Sequence, residues 1–327
     1  MDGQSRSTRR SCWYCLGQCL LAMILLLLIL ARFGNAHPAL DLINLLAAPL
    51  GGISLLLVAV LAMWARSWTG RGALAFCCLP ALGLFWPDLT RSPACSPSGA
   101  HLRIAWMNTH KPKEPDRIAA WLDAESPQVV GVAELPRYLP LHGMLEKRYP
   151  HWQSCLDNGR CSTALFSSIE PAAMEALTHG DPFNRKSLPA ARMDLPFKGL
   201  SDHAGRAGDL QVFAVHLSRP LPLGRQAHEL QQLGKALTVP ASSVIIGDFN
   251  LSPRMRLLAD YAARNGMSLT RTDRPTWPLT YEGHRYPGFW QIDHLLVGRD
   301  WKVEAIRTSP DLGSDHRGFV ADLCQVD

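Results

Sequence analysis

From Cys12 to Leu89 apolar positions dominate, whereas beyond residue 100 they come in short periodic bursts. Cys12 to Ala31 is a near-continuous apolar run, long enough as a helix to cross a bilayer, and residues 42–65 form a second. Ala73–Leu89 is a third, close to the lower length limit and interrupted by Pro80, which membrane helices tolerate. The first run also resembles a signal peptide, but its length and the run that follows at once favour a membrane anchor. The Pro/Ser-rich stretch 90–100 reads as a boundary. The expected organisation is an anchor of about three transmembrane helices over 1–90, a linker over 91–100 and a soluble domain over 101–327.

In the soluble part strand and helix patterns alternate. His101–Met107, Gln128–Ala133, Leu210–Val215 and Val244–Gly247 are apolar runs of strand length; Thr163–Phe166 and Ala191–Leu195 are shorter ones. Pro115 suits the first turn of a helix whose apolar face is Ile118, Trp121 and Leu122. Ala227, Leu230, Leu233 and Leu237 mark a second helix, and 254–264 a short third. Ile292–Val297 and Gly318–Leu323 close the series. This order predicts an α/β layered sandwich, preceded by the transmembrane helices.

Charge adds two points. Through residue 100 the chain has seven Lys/Arg and three Asp/Glu, a balance of +4; the remainder has 26 and 25, a balance of +1. The soluble part therefore lacks the cationic footprint of a strong non-specific nucleic-acid binder. Arg6, Arg9 and Arg10 precede the first run, and Arg66 and Arg71 follow the second. The positive-inside rule then puts the N-terminus in the cytoplasm and, with three spans, the soluble domain outside. Three spans with no intramembrane acid cluster make a poor transport pathway.

The chemistry gathers where strands end. Val244-Ile245-Ile246 runs into Gly247, then Asp248 and Asn250 one residue apart. Other strands end at Asn108, Glu134 and His216, and two tripeptides follow, Ile292-Asp293-His294 and Ser314-Asp315-His316. Oxygen and amide groups of this kind suit a hard divalent cation and phosphate oxygens. A carboxylate-paired imidazole is oriented and held cationic more easily than a lone one.

This serial order resembles the endonuclease/exonuclease/phosphatase superfamily over roughly residues 102–327, and the leading apolar runs resemble its membrane-anchored bacterial members. The resemblance implies a four-layered sandwich of two packed β-sheets flanked by helices, and a Mg²⁺-dependent (or Mn²⁺-dependent) phosphoesterase. It implies metal ligation by Glu134 with Asn108 beside it, and by Asp248 and Asp315. Asp248 would orient or deprotonate the attacking water, and Asn250 would bind phosphate and metal. His316 would contact the scissile phosphate, Asp293 would fix that histidine, and His216 would be a second catalytic histidine. His294 reads as structural, and Ser201-Asp202-His203 as a chance copy of the later tripeptide. Two features depart from the family: Ser168 stands where many members carry arginine, and no acid is evident to pair with His216. Trp277 fits the family's Thr-Trp element and is expected to pack in the core.

Among the nine cysteines, Cys12-x-x-Cys15 lacks a second ligand pair, so no zinc site is expected. Cys155 and Cys161 flank the polar turn 156–160 and suit a hairpin disulfide, which needs an oxidising compartment. The resulting expectation is an enzyme of the bacterial inner membrane with its active domain periplasmic. Its substrate would be a lipid head group, a small phosphoester or a nucleic acid. The rivals are an anchored nuclease acting on DNA or RNA and a catalytically silent binding or signalling module. The complete set of site residues speaks against the silent module.

Overall fold

The computed structural model describes residues 2–65, 71–72, 74–75, 77, 95–96, 99–110, 114–155, 161–179, 188–201 and 207–326. The chain divides into two compact units, Met1–Arg91 with Arg254–Leu257, and Ser92–Pro253 with Leu258–Asp327.

In the first unit, helices α1 (Asp2–Leu30), α2 (Pro38–Leu42) and α3 (Ala47–Trp64) follow one another. Two stretches, Cys12–Phe33 and Pro38–Trp64, are long and apolar enough to cross a membrane. One apolar cluster joins Leu21 to Val58 and Leu61, and another joins Ile24 and Leu28 to Ala47. Leu16, Leu20, Met23, Leu26, Ile53 and Leu56 are exposed. Only 22% and 28% of the two apolar windows is buried, so a core of their own does not account for their apolarity. Most of the third expected run, Ala73–Leu89, lies outside the described residues.

The second unit carries two six-stranded mixed sheets. The first contains β1 (His101–Asn108), β2 (Val129–Ala133), β3 (His151–Ser154), β4 (Ala164–Ser167), β13 (Trp301–Thr308) and β14 (Phe319–Gln325), in the order β13-β14-β1-β2-β4-β3. The second contains β5 (Ala173–His179), β6 (Leu188–Ser201), β7 (Ala207–His216), β8 (Ser243–Asp248), β9 (Met267–Thr270) and β12 (Asp293–Gly298), in the order β5-β6-β7-β8-β12-β9. A small hairpin, β10 (Thr280–Tyr281) and β11 (His284–Arg285), stands apart. The pairs β1/β2 and β7/β8 are parallel, and helical crossovers join them.

Side-chain alternation along β1 explains the layering. Leu102, Ile104 and Trp106 point into a core shared with Met193, Val212, Val244, Ile246 and Leu295 of the second sheet. Ala105 and Met107 point the other way, onto helices α4 (Pro115–Glu125) and α5 (Pro140–Arg148), through Ile118, Leu122, Leu141 and Leu145. Helices α6 (Arg225–Ala236) and α7 (Arg256–Arg264) flank the second sheet and bury Leu230, Leu233, Leu258 and Tyr261. Helix, sheet, sheet and helix make the four-layered sandwich expected from the sequence.

The pattern missed some elements. β13 alternates Trp301-Lys302-Val303-Glu304, but a bulge between Val303 and Ala305 shifts its register and breaks the period. Of β6 only its apolar middle was legible; its 14 residues extend well beyond Ala191–Leu195.

Candidate active site

The ladder register sets one row of the site. On the second sheet His216 pairs with Asp248 across β7/β8, and Asp293 pairs with Asp248 across β12/β8. Gly247 makes this approach feasible, because a Cβ there would lie 2.4 Å from the Val215 carbonyl oxygen. On the first sheet Asn108, the last residue of β1, pairs with Ala133, so Glu134 leaves β2 beside it. Glu134 and Asn250 both adopt left-handed backbone, with φ of 54° and 51°. Such conformations are uncommon for residues other than glycine and gather at functional sites.

Side-chain contacts join the two sheets here. Asn108 Nδ2 donates to Asp248 Oδ2 at 3.0 Å and lies 3.2 Å from Glu134 Oε1. Trp106 Nε1 donates to Asp293 Oδ1 at 2.8 Å. The other oxygen of Asp293 receives His316 Nδ1 at 2.8 Å. The opposite ring nitrogen of His316 points at Asp248 Oδ2, 3.8 Å away. His216 Nε2 stands 3.6 Å from Asp248 Oδ2 and 4.0 Å from Glu134 Oε1. Asn250 holds Asp248 through its backbone N–H, 2.9 Å from Oδ1, while its side-chain amide donates to the Leu217 carbonyl at 3.0 Å. The structure thus gathers Asn108, Glu134, His216, Asp248, Asn250, Asp293 and His316. Asp315 joins them through His110, whose Nδ1 is 3.5 Å from Asp315 and 3.3 Å from Glu134.

Burial and charge act differently on each group. Burial lowers the affinity of His316 for its proton, but Asp293, Asp248 and Asp315 overcome this and push its pKa up to about 10. The imidazole is therefore cationic at neutral pH. Burial also favours the neutral form of Asp293, yet the His316 charge and the bonds from His316, Trp106 and Thr276 hold its pKa below the ordinary value. Asp248 goes the other way: burial and then the Asp293 charge raise it, against His316, His216 and Asn108. A buried acid raised in this way binds protons more readily than a surface one, as proton transfer from water requires. Glu134 stays below its ordinary value, because the Asn108 bond and three neighbouring imidazoles outweigh burial.

The donor set fits a divalent cation. Glu134 and Asp248 share a single amide donor, and buried Oδ1 of Asp315 makes no hydrogen bond. Among the described residues of the site, the group with ligand atoms within 4.8 Å of one another is Asp248, Asp293 and His316. Asp293 and His316 are already bonded to each other, so the oxygen-rich side formed by Glu134, Asp248 and Asp315 suits a hard cation better.

Some participants escaped the sequence reading. His110 lies two residues beyond Asn108, and that spacing was the available signal. Trp106 read only as a core position. Gln226 is buried and its amide reaches three carbonyls, Ser218 at 2.7 Å, Phe249 at 3.0 Å and Asn250 at 3.2 Å. It thereby ties the turn after His216 to the turn that carries Asn250. Beside it, buried Glu229 accepts from Ser218 N–H and Oγ–H at 2.9 and 2.6 Å. Trp277, expected as core, is half-buried and donates to Asp315 Oδ2 at 3.2 Å. His294 is fully buried: its Nε2 donates to Leu251 O at 2.7 Å and its Nδ1 accepts from Gln291 at 3.1 Å. Burial lowers its pKa to about 4, so it is a neutral structural residue. Asp202 and His203 lie outside the described residues.

A two-sheet sandwich whose strand ends meet in acids, amides and a carboxylate-bound imidazole defines a class of phosphate-ester hydrolases. The model of the endonuclease/exonuclease/phosphatase family matches residues 105–316, and the chain belongs to that family. It is a hydrolase of phosphate esters, as the sequence implied. A family protein from Beutenbergia cavernae has a similar fold, at 22% identity and TM-score 0.54, covering 69% of this chain and 72% of its own. A mannosyl-6-phosphatase of Bacteroides thetaiotaomicron is similar at 11% identity and TM-score 0.52, covering 68% and 99%. The human nocturnin catalytic domain is similar at 15% identity and TM-score 0.51, covering 72% and 100%. No curated protein sequence matches the chain.

Proposed function

We propose that this chain is a Mg²⁺-dependent phosphoesterase anchored in a bacterial inner membrane. Residues 1–90 serve as the anchor, 91–100 as the linker and 101–327 as the catalytic domain on the periplasmic side. The observation that carries the reading is the Asp293–His316–Asp248 array, with Glu134 joined to Asp248 through Asn108.

Glu134, Asp248 and Asp315 would hold the cation, with Asn108 and Asn250 beside them. A divalent ion bound there supplies positive charge to the phosphate oxygens and acidifies a water. The protein's own groups do the rest. Asp248 accepts a proton from the attacking water. Cationic His316, fixed by Asp293, donates a hydrogen bond to a non-bridging phosphate oxygen as negative charge develops there. His216 faces the same space and serves a second phosphate oxygen.

Two observations support the periplasmic placement. The arginines cluster before the first apolar stretch and after the second, which assigns both segments to the cytoplasm, so a third span over 73–89 would carry the catalytic domain outside. Cys155 is bonded to Cys161 and Cys95 to Cys324, and such bonds persist in oxidising compartments. On substrate, the charge balance of +1 over 101–327 and Ser168 in place of arginine favour a lipid head group or small phosphoester over long nucleic acid.

The test is hydrolysis of a bis-aryl phosphodiester by the purified full chain. Activity should vanish in EDTA and return with Mg²⁺ or Mn²⁺, and undiminished activity in EDTA would overturn the reading. A C-terminal reporter that is active only after export should be active; a cytoplasmic signal would overturn the topology.

A further inference from the structure

The described residues of the catalytic unit expose six large apolar side chains, Tyr138, Met174, Leu221, Leu223, Val239 and Phe289. Four of these six lie on three loops that leave the active site itself. Tyr138 follows Glu134 by four residues. Leu221 and Leu223 lie in the Pro-rich segment after His216, and the start of that segment is held by Leu217 N–H on the Asp248 carbonyl at 2.8 Å. Phe289 ends a chain of rings that starts at the catalytic histidine. Its ring centroids are 6.5 Å from His316 to Trp277, 5.6 Å on to Trp290 and 5.8 Å on to Phe289.

Each loop carries an exposed arginine near its apolar tip: Arg137 beside Tyr138, ion-paired with Glu146 at 3.4 Å, Arg219 two residues before Leu221, and Arg285 four residues before Phe289, ion-paired with Asp311 at 3.3 Å. Isolated exposed apolar residues are ordinary, but several on loops that leave one site mark an interaction site. Aromatic and aliphatic tips beside cationic side chains suit the bilayer interface. There the tips enter the acyl boundary and the guanidinium groups meet lipid phosphates. Base stacking would use the aromatic rings but gives no role to Leu221 and Leu223.

We infer that these three loops dock on a lipid bilayer, and that the substrate is a phosphate ester of a lipid held in that bilayer. The inference rests on the phosphoesterase reading and adds the place where the substrate is met. In the reaction the water oxygen bonds to phosphorus, the bond from phosphorus to one ester oxygen breaks, and that oxygen takes up a proton.

The experiment uses the full chain reconstituted in phosphatidylcholine vesicles with and without phosphatidylglycerol. Hydrogen exchange at 135–139, 217–224 and 284–290 should slow in vesicles relative to detergent. The combined variant Tyr138→Ser, Leu221→Ser, Phe289→Ser should lose about tenfold or more of its turnover of bilayer phospholipid. Its hydrolysis of the soluble bis-aryl phosphodiester should stay unchanged, which reports that it folds. Arg219→Gln should lose the stimulation given by phosphatidylglycerol. Equal losses on both substrates, unaltered lipid turnover in the variant, or cleavage of single-stranded DNA with no lipid hydrolysed would each overturn the inference. Absence of bis-aryl hydrolysis in the parent chain would instead overturn the phosphoesterase reading.

Discussion

The two sheets make unequal contributions to the site. The second sheet presents His216, Asp248 and Asp293 as one row fixed by strand pairing, with both acids buried. The first sheet presents Asn108, a strand end, and Glu134, which has already left its strand and is about a third exposed. On the inner side the charges answer one another: His316 lies between Asp293 and Asp248. On the outer side, among the described residues, Glu134 and Asp315 face His110, His216, the Asn108 and Trp277 donors and, further in, His316, and Asp315 keeps an oxygen without a hydrogen bond. One half is preassembled from protein groups, and the other offers carboxylate oxygens that suit a hard cation.

The strongest challenge to that contrast is a pair of conservative changes. Asp248→Asn should lower turnover by about 10²-fold or more even at saturating Mg²⁺, since it removes the proposed proton acceptor as well as a metal-facing oxygen. Glu134→Gln should instead raise the Mg²⁺ needed for half-maximal activity, with much of the turnover recovered at saturation. A Mg²⁺ titration of both variants separates the cases, and an unshifted requirement in Glu134→Gln would erase the distinction between halves.

The preassembled half can be tested for unity. His316→Ala and Asp293→Ala should each slow the reaction, and the double variant should be little slower than either. Asp293→Ala strands a buried cation, which costs on the order of 3–5 kcal/mol. The double variant should therefore resist urea better than Asp293→Ala alone, and additive destabilisation would argue that the two side chains act separately.

Gln226→Leu sharpens the comparison by loosening the tie between the His216 and Asn250 turns. Leaving buried carbonyls unpaired costs about 1–3 kcal/mol in stability. Turnover should fall modestly with little change in Mg²⁺ requirement, because Glu134 and Asp315 do not move.

The smallest effect concerns pH. His294 keeps a pKa near 4 in the fold, below the unfolded value of 6.5. The unfolded chain takes up a proton through that window and the fold does not. Stability linked to this residue is thus intact above pH 6.5 and lost as pH falls towards 4. In metal-free protein His294→Gln should flatten this part of the stability curve, and a parallel curve would assign the acid sensitivity elsewhere.

How far the chain could be read depended on range. Strands buried on both faces, such as β1, β2 and β8, were legible as apolar runs, and the polar residues at their ends marked the site. Edge elements were harder, because one solvated face and a bulge, as in β13, dilute the period. Residues that act through long-range contacts left the weakest trace. Trp106 is one apolar residue in an apolar strand until β12 brings Asp293 against its indole. Gln226 and Glu229 lie on a helix that reads as amphipathic, and only the tertiary fold turns their polar groups inward. The bond between Cys95 and Cys324 joins positions 229 residues apart, and no local spacing announces such a pair.

That bond also changes what a cut in the chain can do. Cys95 lies just before the first strand of the catalytic unit, and Cys324 lies in β14, between β1 and β13. A protease that nicks any loop between them makes two pieces but liberates neither, since each stays covalently joined to the N-terminal segment. Closing so long a loop also narrows the unfolded ensemble, by about 5 kcal/mol in a chain-entropy account. Damage to one such loop would leave the enzyme as one covalent unit rather than two.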